Sequence, residues 1–269
     1  MRFSPTTKAA SHDPRSRTSP RSLGLAYCSF LPLPLPLAGA PVTALGWSSP
    51  RDAATVTILL RHGDTRLSPE HRFSGLSEEP LSADGERQAE AAARRLASGQ
   101  RIDAIVGSPL RRAAATAAIV AGALGLTVTW DEELRETDFG AWEGLTLAEI
   151  QGRWPEAVAA WQQDPQRAPP GGESFAETAC RVNRACERIL RDHPGETVLV
   201  VSHITPIKIL LCRALGVPLL TIYRFYLGSA CINEIQWHGA GFAAVRKVND
   251  TSHLDGHRAG PLATAGEER

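Results

Sequence analysis

The sequence has no excess of charge of either sign, because 29 basic and 29 acidic residues cancel over its 269 residues. No net positive field therefore favours nucleic acid or a membrane surface as a partner, and any charge on a ligand must be matched locally. Lysine is scarce, since only Lys8, Lys208 and Lys247 occur. Arginine therefore carries almost all of the positive charge.

Patterns typical of disulfide and metal sites are also missing. The five cysteines are odd in number and form no CxxC or Cys/His cluster, which argues against a disulfide framework or a zinc site. No HExxH spacing or carboxylate cluster supports metal-dependent hydrolysis. We therefore expect no metal and no cofactor, and the cysteine usage is consistent with a cytoplasmic location.

Apolar runs long enough to span a bilayer are missing as well. Residues 30–40 are apolar, but three alternating prolines prevent a helix there. A secretory signal ending at Ala38-Gly39-Ala40 is the minority interpretation of this stretch. We predict that residues 1–52 form a disordered Pro-rich extension or linker remnant, residues 53–254 one domain, and residues 255–269 a disordered tail.

The remaining chain alternates between short apolar strands and amphipathic helices. Strands are predicted at 55–60, 102–106, 126–130 and 197–201, with edge strands between residues 223 and 248. Helices are predicted to begin at the caps Ser82, Ser108 and Ser174 and at Thr205-Pro206, with short helices at 147–153 and 155–163. This order predicts a three-layer α/β/α fold with a mostly parallel, doubly wound sheet.

Three of the predicted strands end in residues that suit an anionic ligand. The strand ends carry Arg61-His62, the 108–112 stretch and Ser202-His203. Ligands bind beyond the carboxyl ends of strands in open α/β sheets, so these side chains should converge on one pocket. Arginine forks and helix N-terminal amides suit a phosphomonoester dianion. Arg112 can reach such a pocket, whereas Arg111 points elsewhere on the helix.

Seven short motifs follow one another along this domain. They are Leu60-Arg61-His62-Gly63-Asp64-Thr65, Arg72-Phe73-Ser74-Gly75, Pro80-Leu81-Ser82-Ala83-Asp84-Gly85, Ser108-Pro109-Leu110-Arg111-Arg112-Ala113, Leu134-Arg135-Glu136, Pro170-Gly171-Gly172-Glu173-Ser174 and Val200-Val201-Ser202-His203. The ordered set resembles the histidine phosphatase superfamily, the phosphoglycerate mutase-like proteins. Residues 203–208 and 248–254 look most like the acid phosphatase half of actinobacterial bifunctional ribonuclease H/acid phosphatase proteins. Residues 1–52 are too short for a ribonuclease H domain, so we expect no nucleic-acid activity from this chain.

The resemblance implies a catalytic role for each of five residues. His62 would attack phosphorus and form a phosphohistidine that water then hydrolyses. Arg61, Arg112 and His203 would bind the phosphoryl oxygens and stabilise the charge of the transferring group. Glu136 would protonate the leaving alkoxide and later take a proton from water, which predicts a mildly acidic pH optimum.

The resemblance also implies further substrate contacts around the pocket. Ser68, Ser74 and Gly75 match positions at the mouth of the family's pocket. Thr205 follows the second histidine, and substrate contact and helix capping explain it equally well. No partner other than a small phosphomonoester is expected, and a homodimer is left open.

Departures from the mutases favour a hydrolase. Leu147 stands where mutases carry a lysine, and Gln162-Gln163 follows Trp161 where they carry arginines. A charged hydrogen bond contributes about 1.5–3 kcal/mol, so losing these three cations weakens binding of a polyanionic substrate. We therefore expect a phosphomonoesterase of the acid phosphatase type. An α-ribazole phosphatase of cobalamin synthesis, a phosphoglycerate mutase and a noncatalytic phospho-ligand-binding module remain the alternatives.

Overall fold

A computed structural model describes residues 54–238 and 242–254. The strands are β1 (Thr55–Arg61), β2 (Ala104–Gly107), β3 (Val128–Trp130), β4 (Thr197–Ser202), β5 (Ile232–Trp237) and β6 (Ala243–Asp250). The helices are α1 (Ala83–Ala97), α2 (Arg111–Leu124), α3 (Leu147–Arg153), α4 (Pro155–Gln163), α5 (Phe175–Asp192) and α6 (Ile204–Leu215). The segments 1–52 and 255–269, which we predicted to be disordered, lie outside the described residues.

The strands form one six-stranded sheet in the order β3-β2-β4-β1-β5-β6. The four strands from β3 to β1 pair in parallel, but β5 is antiparallel to both β1 and β6. The sheet is therefore mixed, and the prediction of a mostly parallel sheet holds only in part. The chain reaches β5 at the carboxyl end of β1, where the N–H of Ala230 donates to the carbonyl of His62, so β5 runs back along β1. β6 then pairs antiparallel to β5 because it follows without the crossover helix that a parallel pair needs.

Helices cover both faces of this sheet. In β1, Leu59 packs into a core cluster with α5 and α6, whereas Ile58 and Leu60 pack into a second cluster with α1 and α2. This alternation follows from the two-residue period of a strand, and apolar burial of this kind supplies most of the folding free energy. The apolar runs of β1 and β4 are thus explained by contacts on both faces.

Serine caps fix the starts of two helices as predicted. Ser82 accepts a hydrogen bond from the N–H of Gly85 at the start of α1, and Ser174 forms a capping box with Glu177 at the start of α5. Each cap satisfies backbone N–H groups that the helix cannot pair internally. The short helices α3 and α4 have the predicted bounds.

Two other predicted helix starts are wrong. Helix α2 begins at Arg111 after Leu110, with no side-chain cap, and α6 begins at Ile204 with His203 as its N-cap residue. The physical reason at α2 is a tertiary contact, because the Ser108 hydroxyl bonds to the ring of His203 at 2.8 Å.

Within the described residues, no helix has both the length and the apolar character needed to cross a bilayer.

Candidate active site

The carboxyl ends of β1, β2 and β4 bring two histidines together. These strands are parallel neighbours, and the backbone N–H of His62 donates to the carbonyl of Ser202 at 3.1 Å. The ring centroids of His62 and His203 are 5.1 Å apart. Both side chains are buried, His203 completely. The structure therefore places the two histidines from distant motifs in one buried cluster.

The hydrogen bonds of His62 define its protonation state. Its Nδ1 lies 2.7 Å from the carbonyl oxygen of Gly63, which only accepts, so Nδ1 carries the proton. Arg112 Nε donates to Nε2 at 3.2 Å, which leaves Nε2 unprotonated. Burial, followed by the charges of Arg112 and Arg61, lowers the pKa of His62 well below its ordinary value. His62 is thus a neutral imidazole with a lone pair on Nε2.

Arg112 is a fully buried cation held by main-chain oxygens. Its Nη1 donates to the carbonyl of Ser77 at 2.8 Å, and its Nη2 donates to the carbonyls of Ser74 and Gly75 at 3.0 and 2.8 Å. Burial lowers the pKa of Arg112, although the charge of Glu136 opposes this. No carboxylate of the described residues forms an ion pair with Arg112. A buried charge without a counter-ion favours binding of an anion.

Two further cations lie in the same region. Arg61 Nη1 donates to the carbonyl of Leu227 at 2.6 Å, but its buried Nε finds no partner among the described residues. The half-buried ammonium of Lys208 makes no hydrogen bond or ion pair with any residue that the structure describes. Burial and the charge of Arg61 lower the pKa of Lys208, against the charge of Glu136. Sequence reasoning missed Lys208, and its position five residues after His203 was the only available signal.

Glu136 is a buried carboxylate at the edge of this cluster. It is 2% exposed, and its Oε1 accepts the N–H of Thr137 at 2.8 Å. Its Oε2 accepts the N–H of Thr205, in the first turn of α6, at 3.3 Å. The main-chain amide of Thr205 therefore orients the carboxylate, which is a role that the sequence did not assign to this residue.

Arg181 on α5 holds the loop that carries Glu136. It donates to the main-chain oxygens of Glu133, Arg135 and Glu136 at 2.9, 2.6 and 2.8 Å. It also forms a bidentate pair with the carboxylate of Glu173 at 2.7 and 2.8 Å. Sequence reasoning missed this residue because nothing local connects α5 with residues 133–136.

The residues predicted at the pocket mouth contribute in different ways. Ser74 and Gly75 are brought to the site through the carbonyls that bind Arg112, whereas the Ser74 hydroxyl bonds to Ser77. Gly75 has no room for a side chain, since a Cβ would overlap the carbonyl oxygen of Thr137. The hydroxyl of Ser68 instead accepts the N–H of Thr65 at 3.0 Å within its own turn. The structure shows no contact of Ser68 with the histidines or Arg112.

An open cavity adjoins Glu136. It has a volume of about 320 Å³ and is lined by Leu76, Arg135, Glu136, Asp138, Gly172, Glu173, Glu177 and Arg181. The cavity includes neither histidine, so it lies beside the cluster, on the side of the carboxylate. Within residues 54–238 and 242–254, no group of three or more His, Cys, Asp or Glu side chains is arranged to hold a metal ion.

Comparison with known proteins identifies the family. The profile of the histidine phosphatase superfamily (branch 1) matches residues 57–251. The chain is 34% identical over 198 residues to phosphoserine phosphatase 1 of Hydrogenobacter thermophilus, and the match covers 73% of this chain and 93% of the relative. The crystal structure of an alpha-ribazole phosphatase from Shigella flexneri superposes with a TM-score of 0.66 at 30% identity, covering 73% of this chain and 96% of that one.

A longer relative matches the same region. The chain is 47% identical over 212 residues to the bifunctional protein Rv2228c of Mycobacterium tuberculosis, covering 79% of this chain. The match covers only 58% of that relative's length. These matches show that the chain belongs to the histidine phosphatase superfamily.

Proposed function

We propose that this histidine phosphatase superfamily member is a phosphoric monoester hydrolase that acts through a phosphohistidine on His62. The observation that carries the proposal is the buried Nε2 of His62, which accepts a hydrogen bond from Nε of Arg112, a buried guanidinium with no carboxylate partner among the described residues. A neutral, oriented imidazole is a nucleophile, and the adjacent cation attracts a phosphoryl group to it.

The first chemical step transfers the phosphoryl group to His62. Nε2 gives up its hydrogen bond from Arg112 Nε, whose N–H turns to a phosphoryl oxygen. Nε2 then forms a bond to phosphorus while the bond from phosphorus to the ester oxygen breaks. Arg112, Arg61 and His203 stabilise the charge on the phosphoryl oxygens during this transfer. Glu136, in its protonated form, gives its proton to the departing alkoxide, so the alcohol leaves neutral.

The second step reverses these roles. Water attacks the phosphorus of the phosphohistidine while the bond to Nε2 breaks. The carboxylate of Glu136 takes the proton of that water, and inorganic phosphate leaves. His62 then returns to its neutral state, with its Nδ1 proton still directed at Gly63.

We propose small phosphomonoesters as the substrates, in the manner of an acid phosphatase. The cavity beside Glu136 is open and about 320 Å³ in volume, which gives room for a small leaving alcohol next to the general acid. The relatives named phosphoserine phosphatase 1 and alpha-ribazole phosphatase also point to phosphomonoesters. Because these two names differ, they do not indicate which alcohol is the leaving group. A panel of phosphomonoesters ranked by kcat/KM would identify it.

The test is the covalent intermediate. After brief exposure to ³²P-labelled p-nitrophenyl phosphate and acid-free denaturation, the wild-type chain should carry acid-labile, alkali-stable phosphate, and His62→Ala should carry none. His193→Ala is the matched control, because His193 ends α5 and pairs with Glu196 away from the cluster. Phosphate release that survives in His62→Ala would refute the proposal. Activity lost to a chelator would indicate metal-dependent hydrolysis instead.

A further inference from the structure

A buried hydrogen bond links the second histidine of the site to a serine that the reaction scheme does not use. Ser108 Oγ and His203 Nε2 are 2.8 Å apart, and neither residue has exposed surface. Ser108 follows β2 and His203 follows β4, so the bond joins two neighbouring strand ends.

The other partners of Ser108 determine the direction of this bond. Its Oγ already accepts the N–H of Leu110 at 3.4 Å. Among the residues that the structure describes, no other atom accepts the Ser108 hydroxyl hydrogen, and leaving a buried hydroxyl without an acceptor is costly. If Nε2–H were the donor, the hydroxyl hydrogen and Nδ1 of His203 would both lack a partner among the described residues, whereas only Nδ1–H lacks one if the hydroxyl donates. The hydroxyl therefore donates to Nε2 of His203. A neutral imidazole that accepts at Nε2 carries its proton on Nδ1.

The surroundings of His203 keep its ring neutral. Burial lowers the pKa of His203 well below its ordinary value, and the charges of Arg112, His62, Arg181 and Arg61 add to this effect. Its Nδ1 is buried and has no hydrogen-bond partner in the part of the chain that the structure describes. Since Ser108 occupies Nε2, Nδ1 is the ring nitrogen that remains for a phosphoryl oxygen.

We propose that Ser108 is a positioning residue, which locks His203 in the Nδ1–H tautomer so that Nδ1 donates a hydrogen bond to the phosphoryl group. The proposal rests on the proposed function, because it assigns the partner of Nδ1. His62 and His203 then both carry their proton on Nδ1, but they interact with the phosphoryl group in opposite ways. His62 presents a lone pair to phosphorus, and His203 presents a proton to oxygen. The other tautomer of His203 would turn a lone pair towards an anionic oxygen.

The tautomer can be read directly by NMR. Two-bond ¹H–¹⁵N correlation spectra of the full chain, labelled with ¹⁵N-histidine and free of substrate, show which ring nitrogen carries the proton. The signals that vanish in His203→Gln belong to His203. In the wild type we expect a protonated Nδ1 and an unprotonated Nε2.

Three serine variants test the role of the hydroxyl. Ser108→Ala should populate the Nε2–H tautomer and lower kcat/KM by about tenfold, the loss expected from one hydrogen bond. Ser108→Thr retains the hydroxyl and should keep the wild-type spectrum. Ser202→Ala is the matched control, because the Ser202 hydroxyl is equally buried beside His203 but donates to the carbonyl of Leu134 at 2.7 Å. It should leave the tautomer unchanged.

Each outcome supports or contradicts the proposed tautomer lock, in which Ser108 holds His203 with its proton on Nδ1. A proton on Nε2 in the wild type overturns the proposal, and so does an unchanged tautomer in Ser108→Ala or a changed one in Ser202→Ala. If Ser108→Ala does not fold, the wild-type spectrum still decides. A chain with the proton on Nδ1 but no phosphohistidine on His62 overturns the proposed function. A chain with the proton on Nε2 that forms the phosphohistidine overturns the tautomer lock alone.

Discussion

Replacing Arg181 with lysine should impair the acid step of the reaction while leaving the phosphate site in place. All five N–H groups of this guanidinium are used, two by the Glu173 carboxylate and three by main-chain oxygens of residues 133–136. Arg181 therefore fixes the backbone on which Glu136 stands. It touches neither His62 nor Arg112 among the described contacts.

The size of the effect follows from the bonds that lysine cannot make. An ammonium has three donors and no planar fork, so Arg181→Lys loses at least two charge-assisted bonds. Each is worth about 1.5–3 kcal/mol, and the side chain is only 12% exposed, so we expect the free energy of unfolding to fall by about 3 kcal/mol. A displacement of the general acid by about 1 Å costs about 100-fold in rate.

Two substrates with different leaving groups separate this effect from a general loss of activity. p-Nitrophenolate leaves without a proton, whereas an alkoxide needs one from Glu136. We expect kcat of Arg181→Lys to fall by about 100-fold on an alkyl phosphate and by less than about tenfold on p-nitrophenyl phosphate. KM should change little on either substrate.

Arg184→Lys is the matched control for Arg181→Lys. Arg184 lies on the same helix, is exposed and pairs with the carboxylate of Glu133. It should lose neither stability nor leaving-group selectivity to a measurable extent. An equal loss on both substrates in Arg181→Lys, or the same selective loss in Arg184→Lys, would refute the reasoning.

Three other perturbations test the site. Folding lowers the pKa of His62 and His203, so as the pH falls the unfolded chain binds protons at these histidines before the folded chain does. The free energy of unfolding should therefore be highest above about pH 6.5 and decrease below it, by up to about 1.4 kcal/mol per pH unit for each histidine. Urea denaturation at stepped pH measures this slope, and a slope unchanged in His203→Gln would contradict it. In Gly75→Ala the new Cβ would overlap the carbonyl of Thr137, which should displace the Gly75 carbonyl that binds Arg112. We expect kcat/KM to fall by about 100-fold. Wild-type kinetics would contradict the close contact between Gly75 and Thr137. Lys208→Met removes a half-buried charge that has no hydrogen-bond or ion-pair partner among the described residues, so the thermal midpoint should stay or rise. KM should rise by at least about tenfold, because one cation fewer attracts the phosphate. A lower midpoint with unchanged KM would show that the ammonium is structural.

The local pattern of the sequence was sufficient for the family and for most of the elements, although not for the starts of α2 and α6. Serine caps predicted the starts of α1 and α5, and the apolar runs predicted β1 and β4, because a cap or a run acts over a few neighbouring residues. The motifs around His62 and His203 identified the superfamily, which the comparisons confirmed.

The hydrogen bonds that bring the motif residues together in one active site depend on the tertiary structure. Ser108 matches a helix cap in sequence, yet its hydroxyl is directed at His203, 95 residues away. Arg181 has no motif of its own, yet it fixes the loop of Glu136, 45 residues earlier. The direction of β5 likewise follows from the place where the chain reaches it, at the carboxyl end of β1, rather than from its apolar pattern. A side chain's nearest neighbours decide its hydrogen bonds, and only the packed sheet and helices determine which distant residues those neighbours are.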